Sequence, residues 1–299
     1  MNLNHLRIFV AVAEEKSITR GASRLQISQP AVSKELRDLE RSLDISLMDR
    51  TPHGISLTDA GAVLLEYARK MFGVEVEAER ILDEMKGLAR GRLILGASTT
   101  VGIYKMPEAL RQFKDRYPNI DIQVEINNDH EIQRSLLDRR CDLAYTGGFI
   151  EHADLVSKAI MTDQLVAVAS PDHPAARRRS LRLKDLAKTP LILREHGSGM
   201  RAVLERYMAS KGLNMSDVMS LASTEAVKRA AALGIGVAVI SSLTVEAELK
   251  RTELVTLDVE GLPLERPIRM VQLKDRSQSH AIRAFHSALM GSLHRTSGI

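Results

Sequence analysis

The chain has 299 residues, of which 44% are hydrophobic, so it can form two or three domains that each bury a core. The formal net charge is +4, which does not by itself indicate nucleic-acid binding, and the single cysteine excludes an internal disulfide framework. The sequence has neither a run of eighteen apolar residues nor a secretion signal, so we expect a cytoplasmic protein without membrane contacts.

Residues 17–40 predict two short helices joined by a polar turn. Each half carries apolar residues at helical spacing, namely Ile18, Ala22 and Leu25 in the first and Val32, Leu36 and Leu39 in the second. Ser28 is a favourable N-cap for the second helix, and Pro30 lies in its first turn, where a missing N–H costs nothing. The pattern therefore predicts a helix–turn–helix.

The second helix presents a polar face opposite its apolar one. We expect Ser33, Lys34 and Arg37 on that face beside Pro30, with Gln29 at the N-terminal end. An amide, a hydroxyl and two cations suit the DNA major groove, where such groups reach base edges and phosphates. Two amphipathic helices joined by a short turn also occur in proteins that do not bind DNA, so this segment alone leaves both interpretations open.

The longer stretch from Leu6 to Gly61 resembles the N-terminal domain of LysR-type transcriptional regulators. The residues that match the family pattern are Phe9, Ala13, Ser17, Ala22, Leu25, Ser28-Gln29-Pro30-Ala31-Val32-Ser33, Leu39-Glu40, Arg50 and Leu57-Thr58-Asp59-Ala60-Gly61. Two positions depart from it, because Asp44 stands where the family usually has glycine and Met48 where it usually has phenylalanine. Asp44 changes a turn position, whereas Met48 exchanges one apolar side chain for another.

The resemblance implies a winged helix–turn–helix DNA-binding domain over residues 1–58, all helical apart from a small wing. Arg50, in the loop before residues 56–58, is then a wing residue that contacts a phosphate or the minor groove. The DNA-binding residues that the helix pattern and the resemblance imply together are Thr19, Ser28, Gln29, Pro30, Ser33, Lys34, Arg37, Arg50 and His53.

Residues 59–88 carry a hydrophobic repeat of 3.5 residues that predicts one long linker helix. The repeat consists of Leu64, Tyr67, Met71, Val74, Ala78, Ile81, Met85 and Leu88. A helix of roughly 45 Å, at about 1.5 Å per residue, cannot bury this stripe against a small head, so it needs a partner. The partner is either a second copy or the chain's own C-terminal domain. The linker helices of LysR-type regulators dimerise, so the resemblance favours a second copy, and a dimer reads two half-sites of an operator.

Beyond Gly91 strands and helices alternate, which predicts an α/β region whose parallel sheets are buried on both faces. We expect strands at 92–97, 120–127, 142–146, 165–170, 190–194, 218–222 and 237–241. We expect one helix that ends near Pro118 and others at 130–140, 200–212, 225–234, 242–250 and 279–294.

This region resembles the effector domain of the same regulators, a two-lobed α/β fold shared with periplasmic solute-binding proteins. The resemblance implies an effector-binding domain over residues 91–299. Its first lobe would comprise 91–161 and 267–299, and its second lobe 162–266.

Three strand-to-helix junctions, at 97–102, 197–201 and 223–225, are rich in glycine and hydroxyl side chains. In an open α/β sheet a ligand lies beyond the carboxyl ends of the strands, near helix N-termini with free N–H groups. A small anion would accept hydrogen bonds there, and Arg194 or Arg201 could neutralise its charge. Helix capping alone also explains each junction. The candidate effector-binding residues are Ser98, Thr99, Thr100, Asn128, Gly147, Gly148, Arg194, Gly197, Ser198, Gly199, Arg201 and Thr224.

Other kinds of site find little support. The nine histidines and one cysteine lack metal-ligand spacing, and Gly234-Ile235-Gly236 lacks the third glycine of a dinucleotide-binding motif. We therefore expect no metal, no cofactor and no catalytic residues. Cys141 lies between a helix and a strand, where we expect a buried structural thiol.

The motifs GASTTVG, LREHGSGMR and STEAVKRAAALGIGVAVIS look most similar to the subgroup that regulates carbon fixation or sulfur assimilation, which implies an anionic metabolite as effector. We therefore predict a ligand-responsive transcriptional regulator that binds double-stranded operator DNA as a homodimer or homotetramer and can also contact RNA polymerase. The alternative is a cytoplasmic solute-binding or enzymatic α/β protein with an ancillary helical segment. The missing secretion signal argues against transport, and the missing nucleophile or acid–base pair argues against catalysis.

Overall fold

The computed structural model describes residues 2–51, 54–85, 91–276 and 278–296. The chain divides into two compact units, Met1–Glu79 and Arg80–Ile299. The elements that begin in the first unit are the helices α1 (Leu3–Glu15), α2 (Ile18–Leu25) and α3 (Gln29–Leu43), the strands β1 (Met48–Thr51) and β2 (Gly54–Leu57), and the long helix α4 (Asp59–Met85). None of the described helices is both long enough and apolar enough to cross a membrane.

The predicted helix–turn–helix is confirmed as α2 and α3. Ser17 and Ser28 are their N-caps, because each hydroxyl accepts a hydrogen bond from a main-chain N–H in the first turn of its helix. Pro30 lies in the first turn of α3, as predicted. The apolar face of α3 is buried in a core that it shares with α1 and α2, through Val32, Leu36 and Leu39. Burial of this face determines which side of α3 stays exposed.

Strands β1 and β2 form an antiparallel hairpin, the wing that the family resemblance implies. Gly54 has φ +123°, and a β-carbon there would lie 2.7 Å from the Lys16 carbonyl oxygen. At the other end, the Thr58 hydroxyl donates to the Ser46 carbonyl at 2.8 Å and accepts from the Gly61 N–H at 3.0 Å. These contacts hold the hairpin between α1 and the start of α4.

Asp44 follows α3 in the left-handed conformation, with φ 52° and ψ 38°. Aspartate tolerates this region better than most residues do, although glycine adopts it at lower cost. The Glu40 carboxylate holds the same turn, because its Oε1 accepts the main-chain N–H of Leu47 at 2.8 Å and that of Met48 at 3.3 Å. The turn therefore forms with aspartate in the left-handed conformation that the family's glycine would adopt at lower cost.

Helix α4 divides its apolar residues between two sides. The side that packs on the core of the first unit contains Leu65, Ala68 and Phe72. The exposed side contains four members of the predicted repeat, Tyr67, Met71, Val74 and Ala78. Leu64 is partly buried, Ile81 and Met85 follow on the same helix, and Leu88 lies outside the described residues. The predicted long helix is confirmed as far as Met85, and it carries a stripe of exposed apolar side chains.

The second unit alternates strands and helices, as predicted. Its first half contains β3 (Gly91–Ser98), α5 (Thr99–Tyr104), α6 (Met106–Arg116), β4 (Ile120–Asn127), α7 (Asp129–Leu137), β5 (Leu143–Thr146) and β6 (Leu155–Ala169). Its second half contains α8 (Leu183–Leu186), β7 (Leu191–Arg194), α9 (Gly199–Ser210), β8 (Val218–Leu221), α10 (Thr224–Ala232), β9 (Val237–Ser241), α11 (Glu246–Lys250), β10 (Val255–Thr256), β11 (Leu264–Leu273) and α12 (His280–Thr296). The strands predicted at 120–127 and 237–241 have those bounds, whereas the single helix predicted before Pro118 is divided at Lys105.

The strands form one mixed sheet in the order β4-β3-β5-β11-β6-β9-β7-β8, with β10 paired to β6. The prediction of parallel sheets is correct for β3 with β4 and β5, and for β7 with β8 and β9. It is wrong for the centre, where β6 and β11 run antiparallel to each other and to their outer neighbours. The sequence misses the first half of β6 because its side chains are mostly exposed and form no apolar run.

Two large apolar cores cover this sheet, and a smaller cluster packs between α7 and the strands β5 and β11. The first includes residues of β3, β5, α6 and α12, and the second includes residues of β7, β9, α9 and α10. We call these halves the first lobe and the second lobe. Strands β6 and β11 contribute to both cores. Met161 and Ile268 pack in the core of the first lobe, whereas Leu165 and Leu264 pack in the core of the second lobe. The paired strands β6 and β11 therefore connect the lobes as one antiparallel ribbon.

We expect Asp44→Gly to stabilise the first unit by up to about 1 kcal/mol, because glycine adopts the left-handed conformation without the steric cost of a β-carbon. Asp44→Ala keeps the β-carbon and removes the carboxylate, so it is the matched control and should be neutral or destabilising. Calorimetric unfolding of the full chain measures both. Equal stability of the two variants would show that the conformation of this turn does not limit stability.

Candidate functional site

The exposed face of α3 carries the polar residues predicted from the sequence. It contains the exposed Ser28, Gln29, Pro30, Lys34 and Arg37 and the half-buried Ser33. The structure therefore brings these candidate DNA-binding residues together on the N-terminal half of one helix. A helix end with this composition can enter a DNA major groove with its first turns foremost.

Thr19, on α2, reaches the start of this face. The Gln29 amide Nε2 donates to the Thr19 hydroxyl at 2.9 Å. Both side chains are exposed, so the contact orients the amide without burying it. Among the described residues the amide oxygen of Gln29 accepts no hydrogen bond. An oriented glutamine at this position suits the edge of an adenine, which offers one donor and one acceptor.

The cations of α3 differ in their pairing. Arg41, in the last turn, lies 3.2 Å from the Asp38 carboxylate. Lys34 and Arg37 have no ion-pair partner in the part of the chain that the structure describes. An unpaired exposed cation can contact a phosphate or a guanine without first breaking an internal contact. The charge available for DNA is therefore concentrated on the predicted reading face.

The wing contributes one placed residue and one that lies outside the described range. Arg50 is on β1, with its main chain opposite Ile55 of β2. His53 belongs to the two residues at the tip of the hairpin that lie outside the described residues. The contact of either residue with DNA stays a prediction.

In the second unit, the two lobes meet at two glycines of the predicted effector site. Gly148 follows β5 of the first lobe, and Gly199 begins α9 of the second lobe. A β-carbon at Gly199 would lie 2.6 Å from the Gly148 Cα atom, so only glycine permits this approach. The predicted junctions at 147–148 and 197–199 are thus brought together across the crevice between the lobes.

A buried carboxylate that the sequence pattern does not indicate lies between these junctions. Asp129, the first residue of α7, accepts through Oδ1 from the N–H groups of Gly147 at 2.9 Å and Gly148 at 2.8 Å, and from the Thr146 hydroxyl. Its Oδ2 accepts from the Gly199 N–H at 2.6 Å. The main-chain N–H groups that we expected to receive the charge of a ligand are therefore bound to a carboxylate of the chain itself.

Three further candidate residues lie beside Asp129. Asn128 is the N-cap of α7, and its Nδ2 donates to Glu195 Oε1 at 3.2 Å. The carbonyl of Gly197, which has φ +91°, accepts from the His130 N–H at 3.1 Å. The buried Ser198 follows. These bonds join the start of α7 in the first lobe to the loop before α9 in the second.

A fully buried ion pair lies where β6 and β11 pass between the lobes. Arg266 and Asp163 are cross-strand partners, and Arg266 Nε donates to Asp163 Oδ2 at 2.7 Å. The Ser241 hydroxyl donates to the other carboxylate oxygen at 2.7 Å. A charge buried this deeply requires a partner, so the pair fixes the guanidinium at the point where the lobes join. The sequence does not reveal Arg266, because a charged residue at a core-facing position and Pro267 after it interrupt the apolar alternation of strand β11.

Two hydrogen-bonding groups, one on Arg266 and one at the end of β3, remain unpartnered among the described residues. Arg266 Nη2 donates to the Thr100 hydroxyl at 3.2 Å, but Nη1 has no hydrogen-bond partner among the described residues. The Ser98 hydroxyl is buried and likewise has no partner there. Thr99, the first residue of α5, lies between Ser98 and Thr100 in the sequence and is half-buried. Buried polar groups are normally hydrogen-bonded, so unpartnered ones mark a place where a ligand or water belongs.

The two arginines suggested by the sequence for charge neutralisation are bonded to their neighbours. Arg194 donates to Glu195 at 2.8 and 2.9 Å and to the Thr224 hydroxyl at 2.7 Å. Arg201 donates to Glu205 at 2.6 Å and to the Arg194 carbonyl at 3.0 Å. Burial opposes the ionisation of Glu195, but hydrogen bonds from Arg194, the main chain and Asn128, together with the charge of Arg194, outweigh it and hold the pKa of Glu195 below its ordinary value. A role of either arginine in ligand binding stays a prediction.

The lobes are also joined on the side of α5 and α10. The Tyr104 hydroxyl donates to Glu225 at 3.0 Å and accepts from Lys228 Nζ at 3.2 Å. Lys228 also lies 2.9 Å from Glu248. Burial opposes the charge of Lys228, but these acidic partners raise its pKa above the ordinary value. The crevice is therefore bridged by hydrogen bonds at two separate places.

Beside Asp129 a groove of about 620 Å³ opens between α7 and α9. Asp129, Gly148 and Gly199 line it, together with Arg134 and Arg206. Such a groove is large enough for a small metabolite. The carboxylate of Asp129 is thus a wall of the groove and a partner of Gly147, the residue that lies against Arg266.

The structure shows no alternative chemistry in the part of the chain that it describes. No group of three or more potential metal ligands occurs among these residues. Cys141 is buried, and burial raises the pKa of its thiol, so the reactive thiolate is disfavoured. The expectation of a buried thiol is confirmed.

Two family descriptions match the sequence. Residues 3–62 match the family described as "Bacterial regulatory helix-turn-helix protein, lysR family". Residues 86–293 match the family described as "LysR substrate binding domain". The two matches cover the head with α2 and α3 and the two-lobed region, and they confirm the family that the sequence resembles.

Individual proteins agree with this result. The RuBisCO operon transcriptional regulator of Allochromatium vinosum is 35% identical over 295 residues, which are 99% of this chain and 97% of that protein. The CcmR regulatory domain of Synechocystis PCC6803, solved in complex with 2-PG, is 30% identical with a TM-score of 0.61 and covers 67% of this chain and 96% of its own. A full-length OxyR variant from Pseudomonas aeruginosa, 21% identical, shares the fold with a TM-score of 0.71 over 98% of this chain and 95% of its own.

Proposed function

The chain belongs to the LysR family of transcriptional regulators, and we propose that it reads operator DNA with α3 and binds a small anionic metabolite between the lobes of its second unit. It is a ligand-responsive DNA-binding regulator, not an enzyme. The main support for the proposed sites is that one chain combines an unpaired polar helix face with the buried, unpartnered hydroxyl of Ser98 and the vacant Nη1 donor of Arg266.

We assign DNA recognition to the exposed face of α3, aided by the wing. The Gln29 amide, held by Thr19, reads a base edge, while Ser33, Lys34 and Arg37 contact bases or phosphates. Ser28 and Pro30 set the start of the helix. Arg50 and His53 of the wing add contacts to the backbone or minor groove. The first unit carries little net charge, so specificity depends on these positions rather than on a general basic surface.

We expect Gln29→Ala and Lys34→Ala to weaken operator binding by about 10- to 100-fold, the usual effect of losing one base contact. The measurement is a gel shift of the full chain on a DNA sequence that the wild-type protein selects from a random pool. Arg41→Ala is the matched control, since Arg41 is an exposed cation of the same helix that is already paired with Asp38. The assignment is wrong if the control loses as much affinity as the two test variants.

We assign dimerisation to the exposed stripe on α4, continued by Ile81, Met85 and Leu88. Tyr67, Met71 and Val74 are each more than two-fifths exposed although they are large and apolar. Adjacent exposed apolar residues at a spacing of 3.5 residues are typical of a helix that pairs with another helix. Leu64 and Ala78 extend the stripe towards its two ends. A homodimer, or a tetramer built from two dimers, would present two copies of α3 to the DNA.

We expect Val74→Glu to weaken self-association at least tenfold, because a carboxylate in the middle of the stripe must be desolvated when the helices pair. Val76→Glu makes the same change at a residue of the same helix that is equally exposed, at 51%, but lies off the stripe. Analytical ultracentrifugation of the full chain compares the two. Dissociation by both variants, or by neither, would place the interface elsewhere.

We assign effector binding to the crevice around Ser98, Thr100 and Arg266. The predicted residues Thr99, Asn128, Gly147, Gly148, Arg194, Gly197, Ser198, Gly199, Arg201 and Thr224 border it. The guanidinium of Arg266 offers a charge, and the hydroxyls offer hydrogen bonds that select an anion. The relative CcmR is solved with 2-PG, which makes that compound the first probe. Similarity to a RuBisCO operon regulator supports a role in controlling carbon-fixation genes.

We expect Ser98→Ala and Thr100→Val to reduce the affinity for 2-PG at least tenfold while leaving ligand-free operator binding unchanged. Each substitution removes one hydroxyl from the crevice, whereas α3 belongs to the other unit. Isothermal titration calorimetry of the full chain provides the affinity, and a gel shift provides the DNA control. Ser210→Ala, which removes a hydroxyl from the exposed end of α9, should behave like wild type. Wild-type 2-PG binding by both test variants would exclude this crevice.

We further propose that the protein acts in the cytoplasm, where operator DNA and RNA polymerase are found. The proposed domains are 1–58 for DNA binding, 59–88 for the linker helix and 91–299 for effector binding. Within the last, the proposed lobes are 91–161 with 267–299, and 162–266. Limited proteolysis with and without 2-PG tests these bounds, since cleavage should concentrate between them.

A further inference from the structure

The Asp129 carboxylate occupies a site that is chemically suited to a free anion. It is buried at 6% exposure and accepts three main-chain N–H groups, from Gly147, Gly148 and Gly199. Two of these N–H groups belong to the first lobe and one to the first turn of α9 in the second lobe. Several N–H groups that converge from separate segments bind carboxylate or phosphate oxygens in the same way.

Arg266 independently indicates that a ligand belongs next to this carboxylate. Its side chain is 2% exposed, and among the described residues Nη1 has no hydrogen-bond partner, whereas Nε and Nη2 do. A β-carbon built on Gly147 would lie 2.8 Å from that Nη1 atom, so the unpartnered group lies against one of the glycines that bind Asp129. A buried guanidinium with a vacant donor next to main-chain N–H groups is a receptor for an anionic oxygen.

The groove between α7 and α9 provides the approach. Asp129, Gly148 and Gly199 line it, and Gly147 connects Asp129 to Arg266. An anion that enters from this groove meets the carboxylate before it reaches the guanidinium. Two anions cannot share the same three N–H groups, because their charges repel strongly at hydrogen-bonding distance in a buried site.

We propose that Asp129 is an internal competitor of the effector: its carboxylate holds the N–H groups of Gly147, Gly148 and Gly199 in the ligand-free protein, and an anionic group of the effector displaces it. The proposal rests on the proposed function, since it assumes that the ligand binds in this crevice. It identifies the ligand class as small molecules with a phosphate or carboxylate group. It also makes Asp129 a determinant of affinity that the sequence does not reveal.

Displacement would couple binding to the position of the lobes. The bond between Asp129 and the Gly199 N–H links α7 of the first lobe to α9 of the second. When a ligand takes the place of the carboxylate, this direct link is replaced by one through the ligand. A ligand that binds the two arrangements with different affinity shifts the population between them, and the operator-bound state can respond to that shift.

The test compares the full-length wild type with Asp129→Asn and Asp129→Ala by isothermal titration calorimetry, with 2-PG and inorganic phosphate as probes. Asparagine has nearly the same size as aspartate and keeps one acceptor oxygen. The asparagine variant therefore decides the test if the alanine variant does not fold. We expect both folded variants to bind 2-PG at least tenfold more tightly than wild type. We also expect a lower unfolding temperature without ligand, which 2-PG restores by mass action.

Glu131→Gln is the matched control, because it removes a negative charge from the first turn of α7 without touching these N–H groups. It should leave the affinity for 2-PG within about twofold of wild type. Unchanged or weaker binding by a folded Asp129 variant would overturn the proposal, as would an equal gain in the Glu131 control.

Failure of the proposed function gives a different result. If the crevice is not the effector site, Ser98→Ala binds 2-PG like wild type, whatever the Asp129 variants do. If the crevice is the site but Asp129 only holds the loops in place, Ser98→Ala loses binding and the Asp129 variants lose it too. The two hypotheses are therefore tested separately by the same set of proteins.

Discussion

The buried ion pair between Arg266 and Asp163 is the interaction on which the two-lobed region depends. The two residues are cross-strand neighbours on the ribbon of β6 and β11, and both are almost completely buried. Removing one partner of such a pair leaves an uncompensated buried charge and typically costs about 3–5 kcal/mol. Hydrophobic side chains of similar size could fill the same space, so the pair is poorly explained by stability alone. A fixed cation at the junction of the lobes is better explained by a ligand that needs it.

The charges around this junction explain why a ligand and the lobe arrangement are connected. Arg266 and Asp163 balance each other, and Asp129 adds a further negative charge whose hydrogen bonds come from both lobes. An incoming anion therefore meets one cation with a vacant donor and one carboxylate already in place. Under the proposal, the anion binds the vacant donor of Arg266 only if it displaces the carboxylate of Asp129. Under the proposed displacement, the N–H groups that bind the effector are the ones that hold the lobes together without it, so binding and lobe position would form one equilibrium.

The sequence predicts local structure well where a residue acts within its own element. Ser28 and Pro30 mark the start of α3, and the alternation in residues 120–127 marks a strand, so both were predictable. Arg266 and Asp129 were not predictable, because their roles arise from contacts across 103 residues in one case and 70 in the other. Asp129 also follows an N-cap asparagine, where an acidic residue is ordinary. Arg194 and Arg201 stood at the expected junctions but donate to Glu195 and Glu205, pairs that sequence spacing leaves open.

The modest charge of the DNA-binding head and the exposed stripe on α4 together explain how operator binding would depend on the proposed dimer. On α3, Lys34 and Arg37 are cations without an ion-pair partner among the described residues, so one head neutralises few phosphates and binds weakly by itself. The proposed pairing of two α4 helices would join two such heads, and the second half-site would then be bound at a high effective concentration rather than from free solution. The affinity of the pair depends strongly on whether both heads fit their half-sites at once. A head with many unpaired cations would bind DNA wherever it met a phosphate and would respond little to its spacing. Weak single heads joined by the proposed helix pair would therefore make operator binding sensitive to small changes in geometry, which a ligand between two lobes can supply.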